Sequence, residues 1–513
     1  MKLVLSNRKF FKVTDATETE REQLRLILTK RIKNWRFHPK VKKGYWDGYI
    51  TKLKRGELVP IGLWHYVKKN MAKYDYQVEI MGLEHLFDSN VPPFEEFVEW
   101  ANSIMEPHTE IEKPYEYQVL SAYKFIKYRY GLGELATSSG KTLINWLVIR
   151  WLLENDDSIN KILMIVPGID LITQAADDFI DYNQKQFDIN IQEIYSNAKD
   201  VTGEPNLVIG TYQSLTKKDK EFFKQFDGVI IDEGHKIKVM SIDKIMKKCG
   251  HTKLRIGVTG TLPKPGTLDF LSVMEHTGPI IAEISASELI DSGRATECEI
   301  KIFQLNYMDH SLREKLARLY KKGGDSKKRV YNLEKKYIIG SNKRLQFVTK
   351  TISEVEENSI VMFFRKKHGK CLRDRLREMN PNKHIFYIDG SVDKERRSEI
   401  IEKFKTSTDI ILVASVNIFS TGISIKNLHY VFLCEPYKSE KIIRQTIGRL
   451  MRLHDSKDLA TFVDFVDDFS CQYPDGVSKR TSYFNNYLLK HGKERVKIYQ
   501  EQDFPFSIKS FNF

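Results

Sequence analysis

Two short segments combine residue types that handle phosphates. In Leu135-Ala136-Thr137-Ser138-Ser139-Gly140-Lys141-Thr142, small residues lead into the apolar stretch Leu143–Leu153. A small-residue loop entering a helix lets backbone N–H groups wrap phosphate oxygens, and the helix dipole adds positive potential there. Lys141 would supply a point charge to the outer phosphates of ATP, and the Thr142 hydroxyl can ligand Mg²⁺. Thr137, Ser138, Ser139 and Gly140 would line the same nucleotide site. Leu135 stands where the G-x-x-x-x-G-K-[ST] pattern has its leading glycine. The plainer alternative is a helix start capped by Ser139. The second segment, Val229-Ile230-Ile231-Asp232-Glu233-Gly234-His235, is an apolar strand ending in two acids. Metal-dependent phosphoryl transfer needs that pairing: Asp232 to hold Mg²⁺ and Glu233 to polarise the attacking water. Solvated acids at a strand end are the alternative, but two such signals in order on separate strands argue for one site.

The elements that must position these residues are legible as alternating patterns. Ile162–Val166, stopped by Pro167-Gly168, reads as a buried strand, followed by a helix over Asp170–Asp181. Asn206–Thr211, Gly228–Asp232 and Leu254–Gly260 are further strand candidates. Strands separated by helix-length segments imply βαβ units and a parallel sheet. The pattern repeats with strands at Ser359–Phe364, His384–Asp389, Asp409–Ala414, His429–Cys434 and Thr461–Phe465. Helices are expected between them at Gly369–Met379, Lys394–Lys405 and Ser439–Arg452. Two such lobes create a cleft at the C-terminal strand ends.

Charge divides the chain further. Lys and Arg outnumber Asp and Glu by 82 to 68, a net of +14, which favours an anionic partner such as nucleic acid. Residues 1–80 hold 19 Lys/Arg against 8 Asp/Glu, whereas 81–112 hold 8 acids and no Lys or Arg. This reversal suggests a basic N-terminal module followed by an acidic connector. Within the module, Arg36, Lys40, Lys42 and Lys43 lie among Trp35, Phe37, Tyr45, Trp46 and Tyr49. Basic residues between aromatics suit phosphate neutralisation and base stacking. A small domain must also bury its aromatics, so Trp46 and Phe37 are expected in the core. A third zone, 311–345, has 12 Lys/Arg against 3 Asp/Glu, and its 323–329 segment reads as an exposed basic loop. The expected domains are therefore 1–90, a connector at 91–112, lobes at 113–300 and 301–470, and a tail at 471–513.

The 5 cysteines lack zinc-ligand spacing and form no disulfide framework. No apolar run approaches the ~18 residues of a membrane span. The N-terminal apolar stretch is too short for a secretory signal, so a cytoplasmic location is expected.

The motif series from about 115 to 467 resembles superfamily-two helicases. Asp232-Glu233-Gly234-His235 is similar to the D-E-x-H box. Tyr117-Gln118 resembles the glutamine motif that reads adenine. Pro167 with Gln174, and Thr211 with Gln213, resemble motifs that touch the nucleic-acid backbone. Thr259-Gly260-Thr261 resembles the motif coupling hydrolysis to lobe movement. Ser420-Thr421-Gly422-Ile423-Ser424 resembles the motif that contacts strand and nucleotide, through Thr421 and Gly422. Gln445-Thr446-Ile447-Gly448-Arg449-Leu450-Met451-Arg452 is similar to the Q-x-x-G-R-x-x-R finger motif, which implies catalytic roles for Gln445, Arg449 and Arg452. The resemblance implies an α/β fold of two tandem RecA-like parallel-sheet lobes after a small basic α/β domain. Asn34–Pro39, Gly44–Gly48 and Tyr487–Gly492 narrow it to the phage UvsW-type branch-migration helicases. That group implies DNA partners (branched, forked, single-stranded, or RNA–DNA hybrid) and work in the host-cell cytoplasm without a membrane partner. The free chain is expected to be a monomer. An RNA helicase of the same superfamily, a restriction-system translocase and a non-enzymatic DNA-binding protein are the competing readings. The last requires a missing lysine, acid or finger, and none is missing.

Overall fold

Apolar β-rich runs buried on both faces can only be strands flanked by helices, and the computed structural model contains two such sheets. It describes all residues apart from 87–90, 109, 110, 112, 196–202, 234–238, 324, 417, 420–424 and 473–482. By contact density the chain forms two units, Met1–Ile284 and Ser285–Phe513.

The first unit opens with a four-stranded sheet. Its strands are β1 (Lys2–Asn7), β2 (Phe10–Thr14), β5 (Leu58–Pro60) and β6 (Glu79–Met81), in the order β5-β2-β1-β6. Between β2 and β5 lies a separate antiparallel ribbon of β3 (Thr29–Arg31) and β4 (Tyr49–Thr51). The helix Glu18–Leu28 leads into the ribbon and starts from a capping box. Thr17 Oγ1 accepts from Glu20 N and Glu20 Oε2 accepts from Thr17 N.

The motor sheet that follows is all parallel, in the order β13-β7-β12-β11-β8-β10-β9. Its strands are β7 (Tyr130–Leu135), β8 (Ile162–Val166), β9 (Ile191–Ile194), β10 (Leu207–Thr211), β11 (Gly228–Asp232), β12 (Leu254–Thr259) and β13 (Ile280–Ile284). The stretch expected as an acidic connector contains the helix Phe94–Met105, whose Phe97, Ala101, Ile104 and Met105 are buried in the lobe core. Its acids Glu95, Glu96 and Glu99 face solvent. Three of the eight acids in 81–112 thus lie on the solvent face of one amphipathic helix of the lobe.

The N-terminal module is not separable from this lobe. Leu3, Phe11, Ile61 and Leu63 share one core cluster with Tyr130, Leu132, Phe270 and Leu271. A β-carbon on Gly62 would lie 1.8 Å from the Met274 carbonyl oxygen, so only glycine permits this approach.

The second unit repeats the all-parallel design, in the order β16-β17-β15-β18-β19-β14-β22. The strands are β14 (Glu297–Asn306), β15 (Ser359–Phe363), β16 (His384–Ile388), β17 (Ile410–Ser415), β18 (Tyr430–Leu433), β19 (Leu459–Asp468) and β22 (Phe506–Asn512). A small ribbon pairs β20 (Cys471–Gln472) with β21 (Tyr483–Phe484). The boundary expected at 300 falls inside β14, and the tail supplies β22 as an edge strand. The basic zone 311–345 is mostly helical, over His310–Lys321, Asp325–Gly340 and Asn342–Ser353, and its 323–329 segment, expected as an exposed loop, is helical from Asp325. Lys327, Lys328 and Arg329 sit exposed on the second of these helices. Glu334 of that helix is buried and accepts from Asn486 Nδ2 and from the backbone N–H groups of Tyr487 and Leu488. It thereby ties the basic helix to the start of helix Tyr487–Glu501.

Candidate nucleotide site and nucleic-acid surfaces

Three chemical segments leave the first motor sheet at the C-terminal ends of adjacent strands. The phosphate loop follows β7, the threonine turn follows β12, and the acid pair ends β11. Strand order thus inserts Thr259-Gly260-Thr261 between the other two. A β-carbon on Gly260 would lie 3.4 Å from Thr137 Oγ1 and 3.6 Å from Lys141 Nζ, so the turn abuts the loop.

The phosphate loop is held in shape by its neighbours. Ser138 and Gly140 take left-handed backbone conformations, with φ of 73° and 76°. Gly140, not Ser139, is the residue that caps helix Lys141–Asn155. A β-carbon on Gly140 would fall 2.1 Å from Gln118 Nε2. That amide donates to the Ser139 carbonyl at 3.0 Å, as does the Tyr117 hydroxyl, also at 3.0 Å. Gln118 Oε1 meanwhile accepts from Tyr115 N at 2.9 Å. Both ends of the Gln118 amide are therefore engaged within the protein, and the pair Tyr117-Gln118 braces the loop. Ser139 Oγ is buried with no hydrogen-bond partner among the described residues. A buried hydroxyl left that way fits a site built for a phosphate ligand.

Lys141 Nζ donates to the carbonyls of Leu135 and Ala136, each at 3.2 Å, and lies 3.9 Å from Glu233 Oε1. Lysine and acid thus face the same volume. Glu233 has a positive φ of 51° and its N–H donates to the Val258 carbonyl at 2.8 Å. A non-glycine residue held left-handed costs energy that surrounding structure must offset, a pattern concentrated at functional sites. Asp232, the Thr142 hydroxyl and the phosphate loop supply only hard oxygen donors, which suits Mg²⁺ and not a softer metal. Gly234 and His235 of the acidic box lie outside the described residues.

The backbone-contact motifs lie farther along the same sheet edge. Thr211 pairs in register with Val166, so the segments after β10 and β8 emerge together. Gln174 and Gln213 are exposed and Pro167 is partly so. Thr211 is buried, and its hydroxyl accepts from Ser214 N and donates to Ser214 Oγ. It caps the short helix Tyr212–Leu215, which presents Gln213.

In the second lobe, helix Glu440–Leu450 buries Gln445 and leaves Arg449 and Arg452 partly exposed near its end. Gln445 is thus packed inside the lobe, away from solvent. Thr421 and Gly422 lie outside the described residues. A residue with no sequence signal secures the arginine turn. Lys457 is buried and its ammonium donates to the carbonyls of Lys426, Leu428 and Leu450, at 3.1, 3.1 and 2.8 Å. Burial pulls this ammonium down to about 8. The Met451 carbonyl accepts from Thr296 N and the Arg452 carbonyl from Thr296 Oγ1.

The N-terminal ribbon inverts one expectation. Phe37 is 73% and Tyr45 80% exposed, so neither is core. The four cations Arg36, Lys40, Lys42 and Lys43 are exposed beside them. The Arg31 guanidinium lies 3.9 Å from the Trp35 ring centre and 4.4 Å from that of Tyr49. Trp46 is half-buried and donates from Nε1 to the Tyr49 carbonyl. Trp35 and Tyr49 pack on the arginine at the ribbon tip, and none of the aromatic side chains of the insert 32–48 is fully buried.

Two parallel sheets, one bearing a phosphate loop, threonine turn and acid pair and the other a pair of arginines, define the nucleotide-driven motor of superfamily-two helicases. Residues 111–264 match the type III restriction enzyme res subunit family and 343–454 the helicase conserved C-terminal domain. Residues 13–81 match the DNA helicase UvsW N-terminal family. The chain is 33% identical over 511 residues to the ATP-dependent DNA helicase uvsW of Enterobacteria phage T4, covering 97% of each. It is 23% identical to the DNA 3'-5' translocase XPB2 of Sulfurisphaera tokodaii, over 80% of this chain and 92% of that one. The crystal structure of T4 UvsW aligns over 100% of this chain and 99% of its own, with 30% identity and a TM-score of 0.50. The chain belongs to the UvsW family of ATP-dependent DNA helicases. Among the described residues no helix is long and apolar enough to cross a membrane.

Proposed function

We propose that this helicase acts on branched DNA, regressing forks, migrating four-way junctions and removing RNA–DNA hybrids in recombination, repair and replication. The observation that carries the reading is the ribbon tip, where Phe37 and Tyr45 stand in solvent among four exposed cationic side chains. Exposed rings offer stacking faces for unpaired bases, and the cations neutralise phosphates of any sequence. A branch is where duplex backbone and unstacked bases occur together.

In the motor, backbone N–H groups of 137–141 and Lys141 bind the ATP phosphates, and Glu233 orients the attacking water. Arg449 and Arg452 stabilise charge on the transferred phosphoryl group. Mg²⁺, held by Thr142 and Asp232, would neutralise phosphate charge. Pro167, Gln174 and Gln213, with Thr421, grip the tracked strand, and Thr211 supports Gln213. Phosphate contacts carry no sequence information, which suits a motor that moves along any sequence. The enzyme works as a monomer in the host cytoplasm. The testing experiment compares ATP turnover on single-stranded, forked and four-way DNA and on RNA. Greater stimulation by branched DNA supports the reading, and greatest stimulation by RNA rejects it.

A further inference from the structure

The ribbon is wired to the helices behind the catalytic segments. Lys52 directly follows β4, is buried, and pairs with Glu275 at 2.5 Å. Lys54 reaches the other Glu275 oxygen at 2.9 Å. Glu275 lies on helix Leu268–Thr277, the first helix after the threonine turn. Its neighbour His276 meets Asp243 at 2.6 Å through Nε2. Asp243 lies on helix Val239–Lys248, the first helix after the acid pair. Burial pushes the Glu275 carboxyl up, but His276, Lys52 and Lys54 outweigh it and hold it below the usual carboxylate range.

The donor atoms of Asp243, Glu275 and His276 lie within 4.8 Å of one another, close enough for a cation. Two ammonium groups already neutralise Glu275, however, so the cluster is a chain of ion pairs. A small apolar cavity lined by Ile231, Ile242, Thr259, Val273 and Thr277 lies where the two helices meet β11 and β12. The Asp243 helix also packs through Ile242, Ile245 and Met246 on Ile231 beside the acids and on Leu215 beside Gln213.

We propose that Glu275 is a positioning residue that couples the ribbon to ATP hydrolysis. A branch that moves the ribbon would shift Lys52 and Lys54, and through Glu275 and the His276–Asp243 pair reposition the acid pair and threonine turn. The inference rests on the ribbon being the branch-binding element.

Glu275→Gln keeps the shape and removes the charge, and Asp243→Asn does the same on the motor side, away from the module's core contacts. ATP turnover, DNA affinity and thermal melting would be measured for both with single-stranded and forked DNA. The expected result is turnover on single-stranded DNA and fork affinity within about twofold of the parent protein, with the fork-over-single-strand turnover ratio falling to about one. A parent-like ratio in both folded variants would overturn the coupling. So would an equal loss on both DNAs, which marks a purely structural pair. If the parent enzyme itself shows no fork preference, the branched-DNA reading fails first, and the coupling with it. If Glu275→Gln melts early, Asp243→Asn alone decides between these results.

Discussion

The C-terminal edge of the first motor sheet, proposed to hold ATP, and the N-terminal ribbon, proposed to meet branched DNA, are built oppositely. At the sheet edge, polar groups are spent on each other. Gln118 grips the phosphate loop, Gly140 makes room for that grip, and Glu233 is bonded to β12 through its backbone. At the ribbon, rings and cations stand in water with few partners beyond one another. The contrast fits the proposed tasks. Phosphoryl transfer gains from groups fixed before the substrate arrives, because no reorganisation is then needed in the transition state. Recognition of a branch must tolerate variable geometry, and flexible cations with exposed rings tolerate it at the cost of precision.

That difference can be broken most sharply at Lys141. Lys141→Ala should abolish ATP turnover, a loss of at least about 10³-fold, while DNA affinity is nearly unchanged, because its charge serves phosphates of the nucleotide. Steady-state turnover beside fluorescence-anisotropy binding checks both halves. Arg449→Ala and Arg452→Ala should each reduce hydrolysis on the order of 10³-fold and spare ATP affinity, since a finger acts mainly on the transition state. Normal turnover in both would remove the second lobe from the chemistry.

Smaller effects are expected where binding alone changes. Replacing Arg36, Lys40, Lys42 and Lys43 by Ala should reduce the slope of log affinity against log salt by up to about 3, without lowering the melting temperature. The matching change at Lys327, Lys328 and Arg329 tests whether the second-lobe helix also touches DNA, with a slope reduction of about 2 expected. The least effect on chemistry, and a clear one on stability, belongs to Gly62→Ala. It forces a methyl group onto the Met274 carbonyl and should cost about 1–3 kcal/mol in a thermal or urea melt.

The same contrast explains what could be read from the amino acids alone. The phosphate loop and acid pair are legible because their chemistry tolerates few residue types at fixed spacing. The strands Ile162–Val166 and Gly228–Asp232 match their expected bounds, since continuous apolar runs in a parallel sheet leave little choice. β7 was not legible, because Gly131 and Gly133 break its apolar pattern. Those glycines are needed where Ile281 and Phe125 crowd the strand. Exposure at the ribbon was not legible either, since Phe37 has the same composition signal in a core or in solvent. The N-terminal module was expected as a domain of its own because charge marks surfaces and not shared cores. Its Ile61 and Leu63 pack on Phe270 and Leu271, more than 200 residues away in sequence. Deleting 1–90 should therefore expose that core and destabilise the lobe. Lys457 gave no signal at all, because a lone lysine between Ser456 and Asp458 looks like any solvated turn.

Under the proposed function, the motor is general and the ribbon makes it branch-specific. One measurement addresses it directly: ATP turnover on single-stranded, forked and four-way DNA, for the parent enzyme and for Phe37→Ala with Tyr45→Ala. Turnover of the parent should be highest on branched DNA, and the double variant should lose that advantage with single-strand turnover kept within about twofold. An undiminished branch preference in the folded double variant would contradict it.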